Sequence, residues 1–92
     1  MSIKILRLVN GEDIVSQVEK KGEVFLLKKP HRLIISREGL ASMPFCPFSK
    51  EEDYEISAQH VLFLAEPEDE IRNSYASQVG SIVLPNSGLL TS

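Results

Sequence analysis

The side chains here that could do chemistry are few and mostly cationic. Lys20, Lys21, Lys28, Lys29, His31 and Arg32 fall within thirteen consecutive positions. Ammonium and guanidinium groups at that density neutralise phosphates, and the ring of His31 or Tyr54 could stack on an unpaired base. The competing reading is a solvated strand face whose lysines discourage edge pairing. His60 sits in the apolar phase of a later strand. It reads either as a half-buried imidazole with a backbone partner or as a contact to nucleic acid. A metal centre would need His31, His60 and Cys46 to converge, and their spacing follows no ligand pattern. Glu51, Glu52 and Asp53 read as a solvated loop in preference to a hard-cation site. Cys46, between Phe45 and Pro47, reads as a core filler. The serines lack the strand-turn-helix setting of an activated nucleophile, and no glycine-rich phosphate loop occurs. The expectation is a protein without catalytic residues, metal or cofactor.

These candidates need a scaffold, and hydrophobic period supplies it. Ile3 to Ile35 reads as three antiparallel strands. Asn10-Gly11 is the strongest short hairpin signal because a type I′ turn needs φ > 0 at both central residues; Lys21-Gly22 is a weaker turn of the same kind. Strand one (3–9) is apolar on both alternations, with Ile3, Ile5 and Val9 on one and Leu6 and Leu8 on the other. Strand two (12–20) points Ile14 and Val18 inward and Asp13, Gln17 and Glu19 outward. Strand three (23–36) contains Pro30, which cannot donate to a ladder and so marks an edge, a bulge or a bend. A bend there lets one long strand serve two sides of a small barrel. Arg37-Glu38-Gly39 is a further turn, 40–48 a fourth strand broken by Pro44 and Pro47, and 49–53 a polar, mobile loop. In the last strand region, 54–65, Tyr54, Ile56, Ala58, Leu62 and Leu64 share one face, and Val61 and Phe63 take the other.

The period then lengthens. Ile71, Tyr75 and Val79 recur at i, i+4 and i+8, Pro67 and the acidic residues around it suit a first turn, and Gly80 suits C′, which predicts a helix over 67–79. Glu68 and Arg72 are spaced for an i,i+4 pair. The tail, 80–92, offers a short strand at Ile82-Val83-Leu84. Leu84-Pro85-Asn86-Ser87-Gly88 has the outline of a sortase signal without the apolar span and basic end that such a signal needs.

Ninety-two residues fit one domain over 1–92, with a marginal core. A single cysteine and the absence of an apolar signal core or membrane-length run point to the cytoplasm and away from a membrane. The net charge of −3 excludes any global attraction to phosphate. Strands apolar on both faces, with one helix to cover them, predict a homo-oligomer.

A bent five-stranded meander of this length resembles the Sm/LSm family, a small SH3-like barrel that closes into rings. Val9-Asn10-Gly11 fits the glycine turn of the first Sm motif, with Ile14 and Val18 at its apolar positions. The stretch 56–64 matches the apolar frame of the second motif. The segment 27–33 (LKKPHRL) and the helix 67–80 (PEDEIRNSYASQVG) make the whole chain similar to a divergent Sm-like group from marine bacteriophages. The resemblance implies a mainly β fold, a strongly bent five-stranded antiparallel barrel over 3–65 with one C-terminal helix. It also implies a self-associating ring and single-stranded RNA or DNA as partner. Carried onto these positions, the second motif adds Ser57, Gln59 and His60 to the candidate contacts. The chain departs from the family in three ways. No Asp and Asn of the first motif stand around Lys21 to Leu26, Ser57-Ala58 replace the Arg-Gly pair, and the helix is C-terminal. The other reading of the same residues is a phage-encoded protein-interaction or assembly module, which asks nothing of the lysines.

Overall fold

The computed structural model describes residues 2–80. Hydrophobic alternation and glycine turns lay down an antiparallel meander of β1 (Ser2–Leu8), β2 (Asp13–Lys21), β3 (Val24–Ser36) and β4 (Gly39–Pro44). After it come β5 (Asp53–Ser57), a 3-10 turn (Ala58–His60), β6 (Val61–Ala65) and the helix α1 (Asp69–Val79). All six strands join one sheet in the order β4-β3-β2-β1-β6, with β5 paired to β3. The fold is therefore mainly β with one C-terminal helix. The pairing is an open path from β4 to β6, not a closed ring of strands.

The sixth strand arises where a single one was expected. Ser57 ends β5 and its hydroxyl accepts the Gln59 N–H at 3.2 Å, which starts the 3-10 turn and resets the side-chain phase. Ile56 and Ala58 consequently pack inward together with Val61, which was expected on the opposite face, while Leu62 and Leu64, expected to share the face of Ile56 and Ala58, are exposed. His60 is exposed as well, not half-buried.

The turn also shows how strongly the sheet curls. Ala58 donates to the Glu23 carbonyl at 2.8 Å, and Val9 donates to the His60 carbonyl at 2.9 Å. Glu23 and Val9 lie beyond opposite ends of β2, which a straight nine-residue strand would hold roughly 27 Å apart. Three residues reach about 10 Å at most, so the strands must bend.

Curling gives β1 and β2 two separate apolar clusters. Leu6, Leu8, Ile14, Val18, Phe25 and Leu27 form the inner one. Ile3, Val15 and Tyr75, with Ile71 and Val79 beside them, form the outer one under α1. Each fully buried aliphatic side chain contributes about 1.5–3 kcal/mol, so both faces of β1 stabilise the fold. Pro67 is buried ahead of the helix, which starts later than its acidic run suggested, with Glu68 as N-cap. Arg72 pairs with Glu66 at 3.1 Å and Asp69 at 3.4 Å in place of Glu68. Gly80 takes φ 73° and donates to the Ala76 carbonyl.

The first turn is not a two-residue I′ turn. Residues 9–12 connect β1 to β2, only Gly11 has positive φ (92°), and the Asn10 side-chain oxygen accepts the Glu12 N–H at 3.0 Å. Cys46 is exposed, so Phe45, not the cysteine, fills the core there. Among the described residues no helix is long and apolar enough to cross a membrane. The strand expected at 82–84 lies outside the described residues.

Candidate functional site

The sequence candidates gather at two ends of the β3–β5 ladder. At one end Lys21 is opposite Val24, and Val24 is opposite Ser57. This sets the β2–β3 turn and the 3-10 turn at the same end of β3, with Lys20 and Lys21 on one side of that strand and Ser57 and Gln59 on the other. Gly22, with φ 59°, permits the tight reversal. The Lys20 ammonium donates to the Gly22 carbonyl at 2.6 Å and lies 5.9 Å from the Phe25 ring centroid, so its stem closes the core while its charge stays at the surface. His60 follows, fixed through its backbone carbonyl to Val9.

At the other end β3 bends. Lys28 is opposite both Gln17 and Asp53, and the register with β2 slips between Val15 and Gln17. The slip turns Ser16 wholly inward, where its hydroxyl donates to the Lys28 and Gln17 carbonyls at 3.0 and 2.8 Å. Lys29 takes φ 52°, a left-handed conformation that costs of order 1–3 kcal/mol outside glycine and is disfavoured before proline. Two contacts hold it. Its N–H donates to the Glu52 carbonyl at 2.7 Å, and the Tyr75 hydroxyl reaches its carbonyl at 2.7 Å and that of Lys28 at 2.9 Å. The same hydroxyl accepts the Gln17 N–H at 3.3 Å. Burial pushes Tyr75 up to about 12, since a phenolate there would lose its hydration.

His31 follows the bend and packs edge-on against Tyr75, with centroids 5.6 Å apart. Its Nδ1 is buried without a hydrogen-bond partner. Burial lowers its pKa below the ordinary value, opposed by a hydrogen bond with Gln78. Arg32 pairs with Glu12 at 3.0 Å and also donates to the Met43 sulfur at 3.4 Å. The structure thus divides the six basic candidates: Lys20 and Lys21 at one end, Lys28 and Lys29 at the other, His31 beneath the helix, and Arg32 in an ion pair. About 14 Å of ladder, four residue steps, separates the two lysine pairs. Lys20, Lys21 and Lys28 form no salt bridge among the described residues. Glu19 and Glu55 lie on the strands between the ends and Asp53 lies opposite Lys28, so the local charge is mixed.

Beside the bend is a cleft of about 350 Å³ whose walls include Lys29, His31, Phe45, Lys50 and Tyr54. Tyr54 stacks edge-on against Phe45, with centroids 6.0 Å apart, and its hydroxyl donates to the Glu51 carbonyl at 2.9 Å. Both rings offered by sequence as stacking partners are therefore already engaged. One exposed ring was passed over in the sequence reading. Phe48 is 98% exposed. The signal available was an aromatic residue directly after Pro47 and two before Lys50, in a stretch assigned only as the end of a broken strand. Among the described residues, no three His, Cys, Asp or Glu side chains gather as a metal-binding group.

Compared with known proteins, the chain matches no family model and no curated sequence.

Proposed function

We propose that this protein is a homo-oligomeric, Sm-like β module that binds single-stranded RNA or DNA through its lysine-bearing turns. The observation that carries this reading is that Val24, paired to Lys21 on one side and to Ser57 on the other, sets the Lys20-Lys21 turn and the start of the Ser57-Gln59-His60 turn at the same end of β3. Ammonium groups that form no salt bridge among the described residues, near exposed amide and imidazole side chains, suit phosphate contact with adjacent base edges. The curl of the strands and the 3-10 turn before β6 support an SH3-like barrel as the finer description of the fold.

Self-association has its own support. Among the described residues β6 has a neighbour only in β1 and β4 only in β3, and Leu62, Phe63, Leu64 and Leu40 are exposed along these two edges. A strand edge of this apolar character is a template for pairing, and two different edges on one subunit suit a head-to-tail ring. A ring would repeat the lysines once per subunit and turn a small patch into an annulus. The same edges also favour a second reading, an assembly module with no nucleic-acid role. The double charge reversal Lys20→Glu, Lys21→Glu separates the two. Loss of oligonucleotide binding with an unchanged oligomeric state supports the first, and wild-type protein that binds no strand leaves the second.

A further inference from the structure

We infer that His31 is an acid-operated latch, holding α1 on the sheet at neutral pH and letting it go when the imidazole takes a proton. The helix is suited to such release. Its 11 residues are fewer than the roughly 12–15 at which an isolated helix becomes even marginal in water, so α1 persists through what it packs against. Its buried residues are Tyr75 and Ala76. Its polar attachments to β3 and β4 lie in its second half. Gln78 accepts the Ser42 hydroxyl at 2.6 Å and is hydrogen-bonded to His31, and Tyr75 lies edge-on to the same imidazole. The two protonation states of that ring fit the place unequally. Neutral imidazole can leave Nδ1 without a proton, where it lacks only an incoming donor. The imidazolium donates from both nitrogens, and a charged, buried Nδ1–H without an acceptor is the costlier state. Moving α1 away opens the ring to water, so proton uptake favours the released helix. The lowered pKa of His31 in the closed state, caused by burial, is the same linkage seen from the other side.

The charges around His31 do not supply the missing acceptor. On β3 its neighbours are Lys28, Lys29 and Arg32, the last already paired with Glu12. β2 and β4 set the apolar Val15 and Pro44 opposite it. The loop that walls the same cleft brings Lys50, Glu51 and Glu52, with Cys46 and Tyr54 beside them. Lys29 and Lys50 balance the two carboxylates in formal charge, and Lys50, Glu51 and Glu52 are exposed and so screened. The acidic residues of α1, Asp69 and Glu70, are in its first turn, away from Gln78. Release also reaches beyond the helix. The Tyr75 hydroxyl that leaves with α1 bridges the carbonyls of Lys28 and Lys29 and helps to hold Lys29 at φ 52°, so the bend relaxes with it. Acid thereby acts on the backbone that presents these two lysines. The latch is independent of the nucleic-acid reading above.

The test is amide hydrogen exchange of the full chain by NMR from about pH 8 to about pH 5, above the ordinary carboxylate range, with both imidazole Cε1–H signals followed in the same samples. Protection factors remove the intrinsic pH dependence of exchange. In the wild type the amides of residues 73–79 should be less protected than those of β1 and β2 at every pH. Their protection should fall by up to about tenfold per pH unit as pH drops from about 6.5 toward the His31 midpoint, which should itself lie below 6.5. His31→Gln, uncharged throughout, should keep α1 protection constant over this range, and His60→Gln should keep the wild-type fall. Equal protection of α1, β1 and β2 at every pH would overturn the latch, because the helix would then open only with the whole chain. Wild-type α1 protection that stays flat across the range would overturn it too, as would a fall that persists in His31→Gln. The wild-type curves decide the matter even where His31→Gln fails to fold.

Discussion

Replacing Tyr75 by Phe removes one oxygen from the most connected position in the structure. That hydroxyl accepts the Gln17 N–H at 3.3 Å and bridges the Lys28 and Lys29 carbonyls at 2.9 and 2.7 Å. Ser16 still reaches the Lys28 carbonyl at 3.0 Å, so the Gln17 amide and the Lys29 carbonyl lose most. Leaving buried backbone groups short of a partner costs about 1–3 kcal/mol. The ring itself stays buried, so no cavity contributes. With a urea slope of about 1 kcal/mol/M for a small domain, the midpoint should fall by about 1–3 M with the slope unchanged. A second signature depends on pH. The folded protein holds Tyr75 up at about 12 against an ordinary 10, so its contribution is complete below pH 10 and is lost as pH rises through 12. That difference corresponds to roughly 3 kcal/mol. The stability gap between wild type and Tyr75→Phe should therefore shrink over pH 10–12, measured at one protein concentration because association shifts the midpoint. A midpoint within error of wild type at pH 7, or a gap that does not change with pH, would refute the claim that this hydroxyl pins the bend to the helix.

Other perturbations have defined outcomes. His31 is held below its ordinary pKa, so stability should be constant above about pH 6.5 and decline as pH falls through the folded value; chemical denaturation of His31→Gln at pH 5 and pH 7.5 should show this acid decline flattened. Gly39 has φ 112° with open space where a Cβ would go, so Gly39→Ala should cost about 1–3 kcal/mol through backbone strain alone, read as a lower thermal midpoint. Leu62→Lys puts a charge on the exposed β6 edge and should reduce the molar mass seen by light scattering toward that of one chain, without loss of secondary structure by circular dichroism. A wild-type chain that is already monomeric at micromolar concentration would remove the self-association proposal altogether.

Much of the scaffold is legible in the sequence because two-residue and 3.6-residue periods are local properties. The alternation of Ile3 and Ile5 against Leu6 and Leu8 announces two buried faces, and Ile71, Tyr75 and Val79 announce the helix that covers one of them. Pro30 announces a bend, although not that Lys29 adopts positive φ to make it. What escaped were effects of phase and of long-range contact. One serine hydroxyl at Ser57 resets the strand and reverses which of Val61 and Leu62 is exposed. The engagement of Arg32 by Glu12 and of His31 by α1 depends on residues 20 or more positions away, which spacing within the basic cluster does not report. Phe48 was hidden for a related reason: whether an aromatic next to proline is core or display depends on which of Phe45, Cys46 and Phe48 the bend turns inward.

The measurement that bears most directly on function is anisotropy of a labelled single-stranded oligonucleotide with the wild-type protein, repeated across a salt series. Phosphate contact by Lys20, Lys21 and Lys28 of each subunit predicts saturable binding whose log affinity falls against log salt with a slope of about −2 per subunit engaged. No saturation at tens of micromolar protein in low salt, or an affinity indifferent to salt, would contradict nucleic-acid binding.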